Sequence, residues 1–387
     1  MTALFCKRGG FKKIMYVTFI SPKYANLDVY IPSIRKFITF HEGLYSTGNE
    51  EIIREIRKLI ETGKVDYREL KTRNIKSGEP MKIMLQRMGG IGDILFTTPI
   101  AKHLKKLGHT ISYHVCFDCA ELLQHNPYVD NIYVNKEFFD LQKLPDGFGK
   151  PMIEIDDVLP DDIMLPNPLT EDAAKSHDRL ITFNGAIEQN PIAEKEHAID
   201  ACISWAGFNP EEITDKSLIL IVTDKEKKWA KDELKRKGYN LKKKFISISP
   251  RASALNRSWR PNYKDELIKL LEKKYNPIFI NRDQGYTLRQ SIALLSQMDL
   301  VISADTGILH MAGALDKKII ALFGSFKPEL RTKYFKDCHT ICHTEEVCGS
   351  FCFNHTDECK KLGRKRVYPP CMEMTPKEVF NKVKEII

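Results

Sequence analysis

The chain has 387 residues, 42% of them hydrophobic and 29% charged, with a net charge of +9. That length exceeds one ordinary core and predicts two or three domains. No run of about 18 apolar residues occurs, which predicts no transmembrane segment.

The excess of Lys and Arg suits phosphorylated or otherwise anionic partners. It is not interleaved with aromatics in the way single-stranded nucleic acid requires, so no nucleic-acid partner is expected. Ten cysteines, in a chain whose N-terminus lacks an apolar signal core, predict a cytoplasmic protein with thiols or a metal rather than disulfides.

Residues 1–80 read as a small α+β accessory module and linker. Ile14–Phe19 and Lys36–Phe40 read as strands, and His41–Tyr45 as a turn. Thr47 and Glu50 form a capping box for a helix that runs to about Thr62 and ends at Gly63. Ile52, Ile53, Ile56, Leu59 and Ile60 form its apolar face, and Asn74–Pro80 reads as a linker. The module carries no catalytic constellation, which leaves it the role of docking a protein partner.

Residues 81–212 read as an α/β domain. A buried strand, Lys82–Arg87, breaks at Met88-Gly89-Gly90-Ile91-Gly92-Asp93, and a helix follows from Ile94 to about Leu107. Strands are predicted at 110–117, 131–134 and 153–155, with helices at 120–125 and 197–205. Residues 213–387 read as a second α/β domain. Helices are expected at 224–237, 263–275 and 287–298, and strands at 245–249, 277–280, 301–304 and 318–323.

The stretch Ser303-Ala304-Asp305-Thr306-Gly307 joins the last but one of these strands to a small-residue helix. Unpaired N–H groups and the positive end of a helix dipole favour an anion there, and His310, one turn in, faces the same spot. An ordinary capped helix would show the same residues. Asp93, after a glycine turn at a strand end, likewise reads as a helix N-cap. The spacing Gly89-Gly90-x-Gly92 departs from a dinucleotide fingerprint, so a dehydrogenase ranks low.

Gly92-Asp93-Ile94-Leu95-Phe96-Thr97-Thr98-Pro99, Ser258-Trp259, Asp305-Thr306-Gly307-Ile308-Leu309-His310 and Phe323-Gly324 together resemble the ADP-heptose:lipopolysaccharide heptosyltransferase family (glycosyltransferase family 9), over roughly residues 81–387. The resemblance implies a GT-B architecture, with two Rossmann-like doubly wound parallel-sheet domains facing a cleft. It implies an inverting, metal-independent transfer of a heptose-like sugar from a nucleotide-diphosphate donor to a hydroxyl of a glycan or lipopolysaccharide-type acceptor. By resemblance Asp93 is the base, with Gly92 and Thr97 on the acceptor side. Thr306 and Gly307 lie near the diphosphate, Asp305 near the transferred sugar, and His310 beside them. Arg257 stands where the family usually has Lys, and Ser253 where a phosphate-contacting hydroxyl is expected. Asp283 is a candidate for the ribose hydroxyls or a solvated loop acid.

No cofactor is required on this reading. Peripheral contact with the inner face of the membrane remains open. Cys348, Cys352, Cys359 and Cys371 could hold a structural zinc, although they lack the close-spaced pairs of a zinc ribbon and packed free thiols are the competing reading. Cys116 and Cys119 read as a redox pair or as core packing, the second being favoured. Two alternatives to a transferase stand beside it: a non-catalytic GT-B-like binding protein tethered through residues 1–80, and an epimerase of two α/β domains.

Overall fold

A computed structural model describes residues 79–134, 152–153, 176–187, 194–280, 284–353, 358–365 and 368–387. Of the first 70 residues it describes 17–20, 27–31, 36–40, 44–47, 50–63, 65 and 67–69. The N-terminal part contains strands β1 (Val17–Ile20), β2 (Leu27–Ile31), β3 (Lys36–Phe40), β4 (Leu44–Thr47) and β5 (Arg68–Glu69), and the helix Glu50–Glu61. β1 pairs antiparallel with β4 and β5, while β2 and β3 form an antiparallel hairpin. Leu44 and Tyr45 therefore belong to a strand, where a turn was expected. Val17, Phe19, Ile38, Ile52, Ile53 and Ile56 close a small core of their own. The expected linker at 74–78 lies outside the described residues.

The second unit is a five-stranded parallel sheet in the order β10-β6-β7-β8-β9, built from β6 (Lys82–Arg87), β7 (Thr110–Val115), β8 (Asn131–Tyr133), β9 (Met152–Ile153) and β10 (Arg179–Thr182). The third unit repeats the plan in the order β12-β11-β13-β14-β15, with β11 (Phe245–Ser249), β12 (Asn276–Phe279), β13 (Leu300–Ala304), β14 (Lys318–Phe323) and β15 (Cys338–Cys342). A short hairpin follows, β16 (Glu358–Cys359) with β17 (Arg364–Lys365), and then the closing helix Pro376–Ile386. Strands such as β6, β11 and β13 are almost continuously buried, as expected where helices cover both faces of a parallel sheet. This is the two-domain GT-B arrangement.

The strand order fixes where a ligand can sit. In the first parallel sheet the chain runs outward through β6, β7, β8 and β9, and β10 returns on the other side of β6. In the second, β12 lies on one side of β11 and β13 on the other. Ligands of open α/β sheets bind beyond the carboxyl ends of strands at such switch points. The segments there are 88–93 after β6, 250–258 after β11 and 305–306 after β13.

One continuous apolar cluster runs through both parallel-sheet domains, from Met81 to Phe335. Polar ties join them as well. Arg289 is buried between the domains: its backbone N–H and guanidinium reach Glu121, and its guanidinium makes a two-pronged bond to Glu226 at 2.7 Å. Tyr334 donates to Asp200 at 2.6 Å, which also pairs with Lys216. Among the described residues no helix is long and apolar enough to cross a membrane.

Candidate active site in the cleft between the two sheets

A cleft of about 1050 Å³ opens between the two parallel sheets. Asp93, Phe96, Ser253, Arg257, Asp305 and His310 line it, together with the glycine turn 89–92.

The glycine turn after β6 does not run as the sequence suggested. The helix begins at Ile91, not Ile94, and continues to Lys106. Gly92 and Asp93 thus sit in its first turn. Gly90 is the N-cap, so Asp93 does not hold that position; from the third helical position its Oδ2 accepts from the Gly90 N–H at 3.2 Å. The same Oδ2 lies 3.1 Å from Arg87 Nη2, and Arg87, at the end of β6, is almost fully buried. Asp93 itself keeps 30% of its side chain exposed to the cleft. One oxygen is held by its own backbone and by Arg87, which leaves the carboxylate oriented and partly solvent-facing. Arg87 carries no motif and was not anticipated.

On the opposite side Thr306 is the N-cap of the helix Gly307–Ala314, accepting from Ile308 N–H at 3.2 Å. The remaining N–H groups of that first turn have no intrahelical acceptor. Asp305 is buried at 4% exposure. Burial by itself would raise its pKa, but the His310 hydrogen bond and the charges of His310, Arg257 and Arg331 hold it well below the ordinary carboxylate range. His310 Nε2 stands 3.5 Å from Asp305 Oδ1.

Arg257 Nη1 donates to the Asp305 carbonyl oxygen at 3.2 Å and lies 3.4 Å from Oδ2, while Nη2 donates to Ser253 at 2.6 Å. Its loop is anchored from behind. Trp259, fully buried, bonds Pro250 O through its backbone and Met374 O through its indole N–H. Trp259 is therefore a strut for the loop and does not line the cleft.

The two turns interlock through glycines. A Cβ on Gly92 would stand 2.3 Å from the His310 ring, and one on Gly307 would stand 3.0 Å from Ile91. Phe96 meets the His310 ring edge-on at 4.8 Å between centroids. Each helix start lacks a side chain where the other helix presents one, and this is what brings Asp93 and Asp305 into one cavity.

Several expected residues fall elsewhere. Thr97 is fully buried, bonding Ile94 O and the Tyr113 hydroxyl, so it braces the first parallel-sheet domain from inside and does not line the cleft. Asp283 lies outside the described residues. Arg331 also lines the cleft, 6% exposed, close enough to Asp305 to lower its pKa. It comes from the short helix Glu329–Thr332 after β14, and no local pattern announces it. Arg251 adds a third cation to the same wall.

In the cysteine-rich tail, Cys359 and Cys371 are buried, and Cys348 and Cys352 are half-buried. Burial pushes the Cys371 thiol up to about 12, with smaller contributions from Cys348, Cys352 and Cys359. Among the described residues no three metal-ligating side chains are drawn into a coordination shell.

Comparison with known proteins agrees with this geometry. Residues 286–362 match the family described as Glycosyltransferase family 9 (heptosyltransferase). No curated protein matches the chain significantly. A glycosyl transferase family 9 structure from Veillonella parvula superposes with a TM-score of 0.58 at 13% identity, over 81% of this chain and 99% of that one. The ADP-heptose lps heptosyltransferase II of E. coli gives 0.53 at 14%, over 79% and 98%. The iron-containing dodecameric glycosyltransferase TibC of enterotoxigenic E. coli gives 0.52 at 11%, over 96% and 91%. The chain has the two-domain fold of these proteins, and part of its second parallel-sheet domain, residues 286–362, carries the glycosyltransferase family 9 (heptosyltransferase) match.

Proposed function

We propose that this chain is an inverting glycosyltransferase that moves a sugar, heptose-like by its resemblance, from a nucleoside-diphosphate donor to a hydroxyl of a glycan or lipopolysaccharide-type acceptor in the cytoplasm. The observation that carries this reading is one cleft with a partly exposed, oriented carboxylate on one wall and a cationic helix N-terminus on the other. The Asp93 carboxylate takes the proton of the acceptor hydroxyl. The acceptor oxygen attacks the anomeric carbon from the face opposite the phosphate. The bond from that carbon to the diphosphate oxygen breaks, and the diphosphate leaves with its electrons. Negative charge grows on the leaving oxygens, where Arg257, Ser253, Arg331 and the N–H groups at 306–307 stand ready to stabilise it. Asp305, kept ionised by His310 and Arg257, accepts hydrogen bonds from the sugar hydroxyls. No cofactor beyond the donor is invoked.

Arg257 in place of Lys gives a two-pronged phosphate contact. Calorimetric titration with ADP and a panel of nucleotide sugars tests this half. Arg257→Ala should weaken nucleotide binding by about 1.5–3 kcal/mol, the range for a hydrogen bond to a charged group, while Asp93→Asn should bind as tightly as the parent. Equal affinity in all three proteins would remove the donor assignment.

Two further elements belong to this reading. TibC is iron-containing, and four soft thiols at Cys348, Cys352, Cys359 and Cys371 suit tetrahedral zinc or iron. Among the described residues they do not close a coordination shell, so packed free thiols stand beside a structural metal as the competing reading. Elemental analysis decides between the two: about one metal per chain, lost in Cys359→Ser with a lower melting temperature, would establish a structural site, and a metal-free protein of unchanged stability in chelator would leave packed thiols. Residues 1–80 then serve as a docking module, ahead of an acceptor domain at 81–212 and a donor domain at 213–387.

A further inference from the structure

We infer that Cys116 and Cys119 form a redox-modifiable thiol pair in the cleft wall, which a small-molecule disulfide converts to an intramolecular disulfide. The sequence favoured core packing for these two residues, but the structure places them on the cavity that Asp93 lines. Cys116 is half-buried and follows the last residue of β7, and Cys119 is buried.

Three pieces of geometry carry the inference. The Cys119 N–H donates to Cys116 O at 3.1 Å, so the two residues are the ends of one tight turn. Such a turn keeps its end Cα atoms within about 7 Å, and a disulfide spans roughly 4.4–6.8 Å between Cα atoms. Both sulfurs lie 3.5 Å from a single acceptor, the Gly89 carbonyl oxygen. Sharing that acceptor places the two sulfurs no more than twice that distance apart.

Electrostatics make Cys116 the attacking partner. The Cys119 hydrogen bond, helped by Gly89 and opposed by burial, draws the Cys116 thiol down to about 6, so it is largely thiolate at neutral pH. Cys338 and Cys371, pushed up to about 12 by burial, are protonated and inert by comparison.

The reaction balances without the donor sugar. The Cys116 thiolate attacks one sulfur of the small disulfide and expels the first small thiolate. Cys119 loses its proton to solvent and attacks the Cys116 sulfur of the mixed disulfide, expelling the second. Two protein thiols are oxidised, one small disulfide is reduced to two thiols, and the S–S bond has moved. Oxidation removes the Cys119 S–H that donates to the Gly89 carbonyl. The next residue, Gly90, gives its N–H to Asp93, so the oxidised pair disturbs the turn that orients this carboxylate.

The test needs no transferase assay, so it stands apart from the proposed function. The full-length reduced protein is equilibrated in glutathione redox buffers, quenched with iodoacetamide, and its peptides are weighed. The expected result is a 116–119 peptide that loses two hydrogens in oxidising buffer and regains them with dithiothreitol. Cys119→Ser should instead trap one glutathione on Cys116. Alkylation of Cys116 should follow a midpoint near pH 6. Full alkylation of both cysteines in the most oxidising buffer, or no glutathione on Cys116 in Cys119→Ser, would overturn the inference.

Discussion

Asp305 and His197 show how single residues carry the electrostatics of this cleft. Asp305 stays charged in a buried place because His310, Arg257 and Arg331 surround it. His197 is the reverse case. It caps the helix Ala198–Trp205 by accepting from Ile199 N–H, and burial, aided by Arg331 and His310, lowers its pKa to about 3. Between the unfolded value of about 6.5 and this folded value the unfolded chain binds a proton that the native chain refuses. Stability from this residue is therefore full above about pH 6.5 and is lost as pH falls, by up to about 1.4 kcal/mol per unit. His197→Asn keeps a capping oxygen but does not titrate. Denaturant unfolding at pH 7.5 and 5.5 should show a smaller acid loss in the variant by about 1 kcal/mol; an identical loss would mean His197 is not the group responsible. At this scale the positions of Asp93, Asp305 and Thr306 at strand-to-helix turns were legible in the sequence, whereas Arg257 was singled out only by resemblance. Arg87 and Arg331 were not, because their roles depend on folding alone.

At the scale of elements, the cleft exists because two helix starts fit together. Gly92→Ala would drive a methyl into the His310 ring, which is buried between Phe96 and Phe335 and has no free direction to move. Overpacking of this kind costs about 1–3 kcal/mol. The variant should lose that stability and also bind ADP more weakly, since His310 positions Asp305. Unchanged melting and unchanged ADP affinity would show that the two turns do not touch as described. Gly90, two residues away and open to the cleft, should tolerate alanine far better. The strands following strong apolar runs were legible, including β6, β11, β13 and β14. β10 and β15 were not. Arg-Leu-Ile-Thr is short and follows an irregular stretch, and Cys338–Cys342 mixes thiols with His and Thr so that no period of two emerges. The helix at Ile91 was placed too late because a glycine-rich entry hides the first turn.

For the whole molecule, the order of strands explains why motifs more than 200 residues apart meet. Segments after β6, β11 and β13 lie at the switch points of two sheets, and a shared apolar core with the Arg289–Glu121–Glu226 link holds those sheets face to face. The doubly wound, two-domain plan was legible in the alternation of strands and helices. The ties between domains were not, since Arg289, Glu121 and Glu226 read as ordinary helix charges. The central claim is that Asp93 on one sheet serves a donor held by the other. It is tested most directly by release of nucleoside diphosphate from a nucleotide sugar, measured for the parent and Asp93→Asn. Removing a general base should lower kcat by about 10²–10⁴-fold, with ADP affinity and melting temperature unchanged. Equal turnover in the two folded proteins would contradict it.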